Sequence, residues 1–178
     1  MKPLYLVIGL SGSGKDTLVD KMLYIFPEKK KLMSMTTREK RLDEKASHIY
    51  VTETMFHTLE PNLVAKTKYA GHWYGATAEQ VENADFYIID MDGLHYLKKH
   101  LKTDRPIYTV AIIAPEHLRK ERIIKRDGEE KALKRLASET TAKKAILNYK
   151  DKFDLVIVNK DFLDATTTFK DFIISKEK

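Results

Sequence analysis

Four short runs of apolar residues recur along the chain, at positions 4–8, 86–89, 108–114 and 155–158. Each run is almost continuously apolar rather than alternating with polar residues. This pattern is typical of strands buried on both faces, as in a parallel sheet that carries helices on either side. The four runs therefore predict four strands of one sheet.

Segments with helical spacing separate these strands. They cover 15–26, 94–101, a helix that begins at Pro115 and continues through Ile124, a second helix over 129–149, and a closing helix over 162–174. In the 129–149 helix we expect Leu133, Leu136 and Ile146 to face inward. Strands that alternate with helices predict a doubly wound, mostly parallel α/β sheet, whose ligands bind at the carboxyl ends of the strands.

Residues 34–84 interrupt this rhythm, because the segment is polar and rich in turns. A probable second strand precedes Ser34, and strand-like pieces at 49–52 and 63–69 surround a short helix near 53–59. The pattern predicts a small insertion with β structure beside the main sheet. A second interruption lies at Gly128, between charged helical segments, and predicts a mobile flap. This arrangement of core, insertion and flap resembles that of an enzyme that undergoes closure.

Length and composition narrow the class of protein. A chain of 178 residues suffices for one well-packed domain and is too short for two ordinary ones. The net charge of +6 comes mostly from scattered lysines, so it does not indicate a nucleic-acid partner. Without cysteine there is no disulfide and no thiolate metal site, which agrees with a reducing cytosol. With no membrane-spanning run of residues, we expect a cytoplasmic protein without a membrane partner. The oligomeric state stays open, with a homodimer as one alternative.

The residues after the first strand carry the clearest chemistry. Positions 9–17 read Gly-Leu-Ser-Gly-Ser-Gly-Lys-Asp-Thr, between a predicted strand and a predicted helix. In that context a glycine-rich turn and a helix N-terminus bind phosphate through backbone N–H groups, and a lysine adds a positive charge. We predict that nucleotide phosphates contact this phosphate-binding loop through Gly9, Ser11, Gly12, Ser13, Gly14, Lys15, Asp16 and Thr17.

One position of the loop departs from the usual pattern. Asp16 follows the lysine, where a serine or threonine normally helps to bind Mg²⁺. A carboxylate is also a hard oxygen ligand for that ion, so we expect Asp16 to help hold Mg²⁺, with Thr17 assisting. The alternative is an acidic residue in the first turn of a helix, where the helix dipole favours negative charge by ~0.3–1 kcal/mol.

A second group of anion-binding residues occupies 34–41, with the sequence Ser-Met-Thr-Thr-Arg-Glu-Lys-Arg. Arg38 and Arg41 follow three hydroxyl residues, and guanidinium groups bind phosphate in a bidentate manner. Tyr50 and Tyr74 could add phenolic donors. The alternative is a polar loop with arginines on the surface and tyrosines that serve only packing.

In order and approximate spacing, a larger set of residues resembles the guanylate kinase family: Ser34, Thr36, Thr37, Arg38, Arg41, Glu44, Tyr50, Tyr74, Gly75, Asp90 and Asp92. The resemblance extends from the phosphate-binding loop to Asn159. It implies a P-loop NTPase-type fold in one domain over 1–178. The core would be 1–33 and 85–178, the insertion of about 34–84 would bind a nucleoside monophosphate, and the lid would cover about 122–140.

The resemblance also implies roles for individual residues. Arg38, Arg41, Tyr50 and Tyr74 would hold the acceptor phosphate. Ser34 and Asp92 would contact the acceptor base, with Glu44 and Asp90 nearby. Asn159 would lie near the donor adenine.

Three further arginines would belong to the lid. Arg122 and Arg126 lie one helical turn apart and share a face, and Arg135 follows Gly128. By the resemblance they close over the donor phosphates and act in catalysis together with Lys15 and Arg38. Phosphoryl transfer spreads negative charge over the transferred oxygens, and arginines there stabilise it. For each arginine alone, a surface salt bridge is the alternative.

One more departure concerns the acceptor. Ala65 stands where the family usually has a glutamate that accepts hydrogen bonds from guanine. Asp16, Ala65 and the stretch 47–49 are also reminiscent of the ribose 1,5-bisphosphate phosphokinases, whereas Asp90 and Asp92 fit an enzyme that binds a base. We predict phosphoryl transfer from ATP, with Mg²⁺, to a nucleoside monophosphate, with GMP or dGMP as the leading acceptor. The alternatives are a ribose 1,5-bisphosphate phosphokinase and a non-catalytic, protein-binding module of the same fold.

Overall fold

A computed structural model describes residues 2–40 and 47–178 of the chain. Within these residues eight strands form two sheets of four strands each. The strands are β1 Leu4–Ile8, β2 Met35–Thr36, β3 Ile49–Tyr50, β4 Leu63–Tyr69, β5 His72–Thr77, β6 Phe86–Ile88, β7 Ile107–Ile113 and β8 Leu155–Val158. The helices are α1 Lys15–Ile25, α2 Glu53–Leu59, α3 Ala78–Glu82, α4 Met91–His100, α5 Glu116–Asp127, α6 Glu129–Ser138, α7 Thr140–Asn148 and α8 Phe162–Lys176. No helix in this described part of the chain combines the length and the apolarity that crossing a membrane requires.

The first sheet has the strand order β6-β1-β7-β8, and every neighbouring pair is parallel. Its strands are the four apolar runs of the sequence. Because all four point the same way, their carboxyl ends meet at one edge. The phosphate-binding loop follows β1, one of the two inner strands, and Asp90 follows β6 at that same edge.

Both faces of this sheet are buried. Leu6 packs in one apolar cluster with Leu94 of α4 and Ile146 of α7, and its neighbour Tyr5 packs in a second cluster with Phe169 of α8. Successive residues of a strand point to opposite faces, so each run has to be apolar at every position. The α/β fold with a parallel sheet between helices is therefore confirmed.

The second sheet is built from strands between residues 35 and 77, in the order β3-β2-β5-β4. β2 pairs in parallel with β3 and antiparallel with β5, and β5 pairs antiparallel with β4. Ala70 and Gly71 form the tight turn between β4 and β5, both with positive φ. Met35, Phe56 and Leu63 form a small core of its own.

Three expectations about local structure were wrong. The segment 129–149 is two helices, α6 and α7, which meet at Glu139, because the backbone there (φ −90°, ψ 5°) departs from helical geometry. Ala132 takes the buried position in α6, whereas Leu133 is 50% exposed. The strand expected before Ser34 is reduced to a single bridge between Lys31 and Phe86.

Candidate active site

The phosphate-binding loop packs tightly against three other elements. Gly12 and Gly14 have φ values of +74° and +88°, which glycine adopts without strain. A Cβ on Gly12 would lie 2.7 Å from the carbonyl oxygen of Arg119 in α5. A Cβ on Gly9 would collide with the backbone of Ile112, and one on Gly14 with the side chain of Asn159. The glycines are therefore required for close approach as well as for backbone conformation.

Lys15 begins α1, and its ammonium Nζ lies 3.5 Å from the carbonyl oxygen of Leu10. Burial lowers the pKa of Lys15, and the positive charges of Arg126 and Arg119 add to this effect. Asp16 and Glu139 oppose it, but the net pKa is below the usual value. A lysine surrounded in this way gains from an anionic ligand, which would restore its preference for the charged form.

Asp16 is exposed at the start of α1, beside a lysine from another segment. Its Oδ1 lies 3.4 Å from Nζ of Lys31, which also lies 3.2 Å from Oδ1 of Asp20, one turn further along the helix. Partial burial alone would raise the pKa of the Asp16 carboxyl, but Lys15, Lys31 and His48 outweigh it and hold the pKa below its usual value. Asp16 therefore stays ionised at neutral pH and can offer a carboxylate to a cation.

Two of the residues predicted to bind the acceptor phosphate, Tyr50 and Tyr74, lie on either side of Thr36 in the second sheet. Thr36 of β2 pairs directly with Tyr50 of β3 and with Tyr74 of β5, so the three side chains share one face. Tyr74 also pairs with Thr67 of β4, which extends the row across all four strands. Among the described residues the buried hydroxyl of Tyr50 has no hydrogen-bond partner.

Arg38 and Ser34 flank this row. The guanidinium of Arg38 lies over the ring of Tyr50, 5.7 Å from its centroid, and its backbone N–H donates to Oγ1 of Thr36. Oγ of Ser34 is 3.0 Å from Nδ1 of His48, whose ring packs edge-on against Tyr74. The row thus places the buried hydroxyl groups of Thr36 and Tyr50 next to the guanidinium of Arg38. Arg41 and Glu44 lie outside the described residues.

Asp90 joins the row to the first sheet. Its Oδ1 caps α4 by accepting from the N–H of Gly93 at 2.7 Å, and its Oδ2 accepts from Oγ1 of Thr67 at 2.9 Å. Burial raises the pKa of Asp90 above its usual value, although both hydrogen bonds favour the charged form. Asp92 is exposed in the first turn of α4.

The three predicted lid arginines differ in their present partners. Arg122 donates to the carbonyl oxygens of Gly12 and Asn159, each at 3.3 Å, and so contacts the loop directly. Arg126 and Arg135 both pair with Asp127, with closest N···O distances of 2.8 and 3.4 Å. The positive charge of Arg126 also contributes to the lowered pKa of Lys15.

Asn159 lies beneath the phosphate-binding loop. It follows β8, is 2% exposed, and donates from Nδ2 to the carbonyl oxygen of Ser13 at 2.8 Å. Among the described residues its Oδ1 and the hydroxyl of Ser13 are buried without a hydrogen-bond partner. The side chain thus supports the loop, and contact with an adenine stays a prediction.

These features agree with what known proteins of similar sequence indicate. The family model described as guanylate kinase matches residues 1–176. The chain belongs to the guanylate kinase family. The guanylate kinases of Legionella pneumophila (strain Lens) and Vibrio parahaemolyticus are 29% and 30% identical to it, with 97% and 94% of this chain and 85% and 84% of those proteins covered. A crystal structure of guanylate kinase from Anaplasma phagocytophilum has the same fold, with a TM-score of 0.67 at 20% identity over 99% of this chain and 87% of that one. The resemblance read from the motifs is confirmed, and the chain is a nucleoside monophosphate kinase.

Ala65, which stands where the family usually has a glutamate, lies in the interior of the protein. Ala65 is fully buried and packs in the same apolar cluster as Leu94 of α4. A register shift in β4 lies between Leu63 and Ala65. The next polar group on the same strand face is the hydroxyl of Thr67, which is bound to Asp90. The face of β4 where the family usually carries a glutamate is therefore apolar at this position and polar two residues later.

Several residues at the site were missed in the sequence. Glu139 accepts hydrogen bonds from the N–H of Ser11 and the hydroxyl of Tyr69, and it pairs with Arg119. Lys31 neutralises Asp16. These charged residues lie in ordinary helical or polar stretches, and only their distant partners distinguish them. A partial signal was present at Arg119, three residues before Arg122 on a related helical face.

Proposed function

We propose that this kinase transfers the γ-phosphoryl group of ATP to GMP or dGMP, forming ADP and GDP or dGDP. The observation that carries the proposal is the pairing of two anion sites. One is the loop with Lys15, and the other is the row of Tyr50, Thr36 and Tyr74 beside Arg38. Thr67 at one end of that row donates to Asp90, which lies at the same edge of the first sheet as the loop, so the two sites are neighbours.

The donor and the acceptor would each be held by groups suited to phosphate. Loop N–H groups and Lys15 would bind the β- and γ-phosphates at the N-terminus of α1. Arg38, with Arg41 and the free hydroxyl of Tyr50, would orient the acceptor phosphate. An acceptor oxygen then attacks the γ-phosphorus while the bond to the bridging oxygen of ADP breaks. No side-chain nucleophile takes part, because alignment and charge stabilisation suffice for this reaction.

The lid arginines would change partners during the reaction. Arg126 and Arg135 now share the carboxylate of Asp127. Negative charge that develops on the transferred oxygens would compete with this carboxylate for the two guanidinium groups. Arg122 needs less movement, because it already contacts the loop at Gly12. Charge stabilisation by such arginines contributes roughly 10³–10⁵ in rate in related reactions.

The residues present also fit Mg²⁺. In the described part of the chain no group of three or more acidic or histidine residues could form a metal site made of protein alone. Mg²⁺ in phosphoryl-transfer sites is usually bound by one or two carboxylates together with substrate phosphates. The ionised and exposed Asp16 fits that role, with the hydroxyl of Thr17 next to it. The ion, when bound, would neutralise charge on the donor phosphates.

The substrates expected here are small nucleotides. The cytoplasmic location, the lack of a nucleic-acid or membrane partner and a homodimeric state remain predictions from the sequence.

A substrate panel tests the proposal. Purified enzyme with ATP and Mg²⁺ is offered GMP, dGMP, AMP, CMP, UMP and ribose 1,5-bisphosphate, and ADP formation is followed. Turnover should be highest with GMP or dGMP and should be lost in a Lys15→Met variant. Turnover of ribose 1,5-bisphosphate without turnover of any nucleoside monophosphate would refute the proposal. Failure to bind ATP would point instead to a non-catalytic module.

A further inference from the structure

Four residues from four segments, one of them in the phosphate-binding loop itself, are in contact with one another. We call them the Glu139 cluster. They are Ser11 of the loop, Tyr69 at the end of β4, Arg119 of α5, and Glu139 between α6 and α7. Arg119 and Glu139 are only 4% and 2% exposed. The cluster therefore links the loop, the second sheet and the helices after Gly128 through side chains that are buried or, for Tyr69, partly buried.

The contacts hold Ser11 from both sides. Its N–H donates to Oε1 of Glu139 at 2.9 Å, and its carbonyl oxygen accepts from Nε of Arg119 at 2.8 Å. Arg119 and Glu139 in turn form a buried ion pair through Nη2 and Oε2. The third residue of the loop is thus fixed by a charged pair rather than by its own helix.

Tyr69 brings the second sheet to the same carboxylate. Its hydroxyl donates to Oε1 of Glu139 at 2.8 Å, the atom that also receives the N–H of Ser11, and lies 3.4 Å from Oγ of Ser11. Burial raises the pKa of Tyr69 to about 12, so the hydroxyl keeps its proton at neutral pH. A movement of the second sheet that displaces Tyr69 therefore disturbs an oxygen on which the loop depends.

We propose that Glu139 is a positioning residue that couples the donor site to the acceptor site, acting on the loop through Ser11 and on the second sheet through Tyr69. This inference rests on the proposed function, since it requires a donor in the loop and an acceptor on the second sheet. Binding of either substrate sets the same carboxylate in the geometry that the other requires. Such coupling is reciprocal, so each ligand raises the affinity for the other by the same factor.

The coupling is measured by calorimetric titration of a non-hydrolysable ATP analogue with Mg²⁺, with and without saturating GMP. The ratio of the two dissociation constants should be about 5 or more for the wild type, a usual size for coupled sites. In Tyr69→Phe the ratio should fall towards one, while each ligand alone binds within about twofold of its wild-type affinity. Tyr149→Phe is the matched control, since it removes a hydroxyl that bonds Lys98 away from the site, and its ratio should be unchanged.

A second variant tests how Glu139 affects donor binding at the loop when no acceptor is present. Glu139→Gln keeps an oxygen that can accept from Ser11 and Tyr69 but leaves Arg119 without its counter-charge. Its affinity for the ATP analogue should fall by roughly 10-fold or more, similar to the loss seen at metal sites when a group that orients a ligating side chain is removed, and circular dichroism should confirm that it is folded.

The outcomes separate the two proposals. A wild-type ratio of one, or an unchanged ratio in Tyr69→Phe, overturns the coupling even if GMP is phosphorylated. Unchanged ATP-analogue affinity in Glu139→Gln overturns the positioning role. If neither GMP nor dGMP binds or reacts, the proposed function fails, and the Glu139→Gln measurement still decides whether Glu139 positions the loop.

Discussion

The ionisation of a single residue at the site depends on the charges around it, as Asp16 shows most clearly. A carboxylate beside a phosphate would repel it, but Lys15 and Lys31 lower the pKa of Asp16 and balance its charge. The carboxylate nevertheless remains exposed to solvent. The residue is therefore placed to attract a cation rather than to pair only with the protein.

Replacing Asp16 should change the response to Mg²⁺. In Asp16→Ala we expect the half-saturating Mg²⁺ concentration to rise by roughly 10-fold to 100-fold, the usual loss when a group that supports a metal is removed. Asp20→Ala is the control, because Asp20 is equally exposed and contacts the same Lys31 but lies one turn outside the loop. Mg²⁺ titrations of the steady-state rate measure both. Equal responses in the two variants would contradict a metal role for Asp16.

The raised pKa of Asp90 leads to a prediction about how the stability of the protein depends on pH. Burial raises the pKa of Asp90 in the folded protein above the unfolded value of about 3.9. As pH rises from about 4, the unfolded chain releases its proton first, so this residue makes the protein less stable with increasing pH up to the folded pKa. Asp90→Asn removes that loss while keeping a good N-cap for Gly93. Its stability relative to the wild type should therefore improve between pH 4 and pH 7.

Urea unfolding at several pH values tests this difference. Asp161→Asn in α8 is the control, since Asp161 also caps a helix but is exposed. Parallel stability curves for Asp90→Asn and the wild type would contradict the argument. The same variant should raise the KM for the acceptor if Asp90 lies near the acceptor base.

The sequence predicts those site residues that are recognised by their neighbours along the chain. It does not predict residues whose role depends on partners far away in the sequence. The loop and the cluster of Arg38 are recognisable because neighbouring positions define them. Glu139 is not, because its partners Ser11, Tyr69 and Arg119 lie 128, 70 and 20 residues away in the chain. The periodicity of 129–149 predicted one continuous helix there, whereas the structure has two helices that meet at the buried Glu139.

At the scale of elements, the loop and α5 form one packed unit. Gly12 and Gly71 both have positive φ, so a substitution to alanine should cost each about 1–2 kcal/mol of backbone strain. They differ in surroundings: a Cβ on Gly12 would approach Arg119 of α5, whereas a Cβ on Gly71 would meet nothing within 4 Å.

Activity should therefore separate the two glycine variants. We expect Gly12→Ala to lower kcat/KM for ATP on the order of 10²-fold, as misplacement of phosphate-binding groups by about 1 Å does. Gly71→Ala should lose only the stability that backbone strain costs, which is less than Gly12→Ala loses, and should keep its affinity for ATP. Thermal unfolding together with initial rates makes the comparison. Normal activity in Gly12→Ala would mean that the loop tolerates displacement from α5.

At the scale of the whole molecule, stability and chemistry lie at opposite ends of the parallel sheet. The carboxyl ends carry the loop, Asp90 and Asn159. Near the amino ends, Arg105 donates to the carbonyl oxygens of Pro3, Val81 and Glu82 and pairs with Asp85 at 3.8 Å. Arg105 and Asp85 have side chains less than 10% exposed, so this arginine joins separate segments of the chain far from the phosphate-binding loop.

Two arginine variants should then have opposite effects. Arg105→Met should cost about 3–5 kcal/mol in the free energy of unfolding, because it removes the ion-pair partner of a buried carboxylate and the donor to several carbonyl groups, while kcat and both KM values stay near wild type in the folded protein. Arg126→Met removes a partly exposed pair worth at most about 1 kcal/mol, but should lower kcat by about 10²–10³, as loss of one group that stabilises transition-state charge does. Urea unfolding and initial rates at a temperature where both variants are folded measure the two quantities on the same samples. Because the first variant acts on the amino ends of the strands and the second on α5, a fall in kcat for Arg105→Met equal to that for Arg126→Met would mean that the two ends of the sheet are not independent.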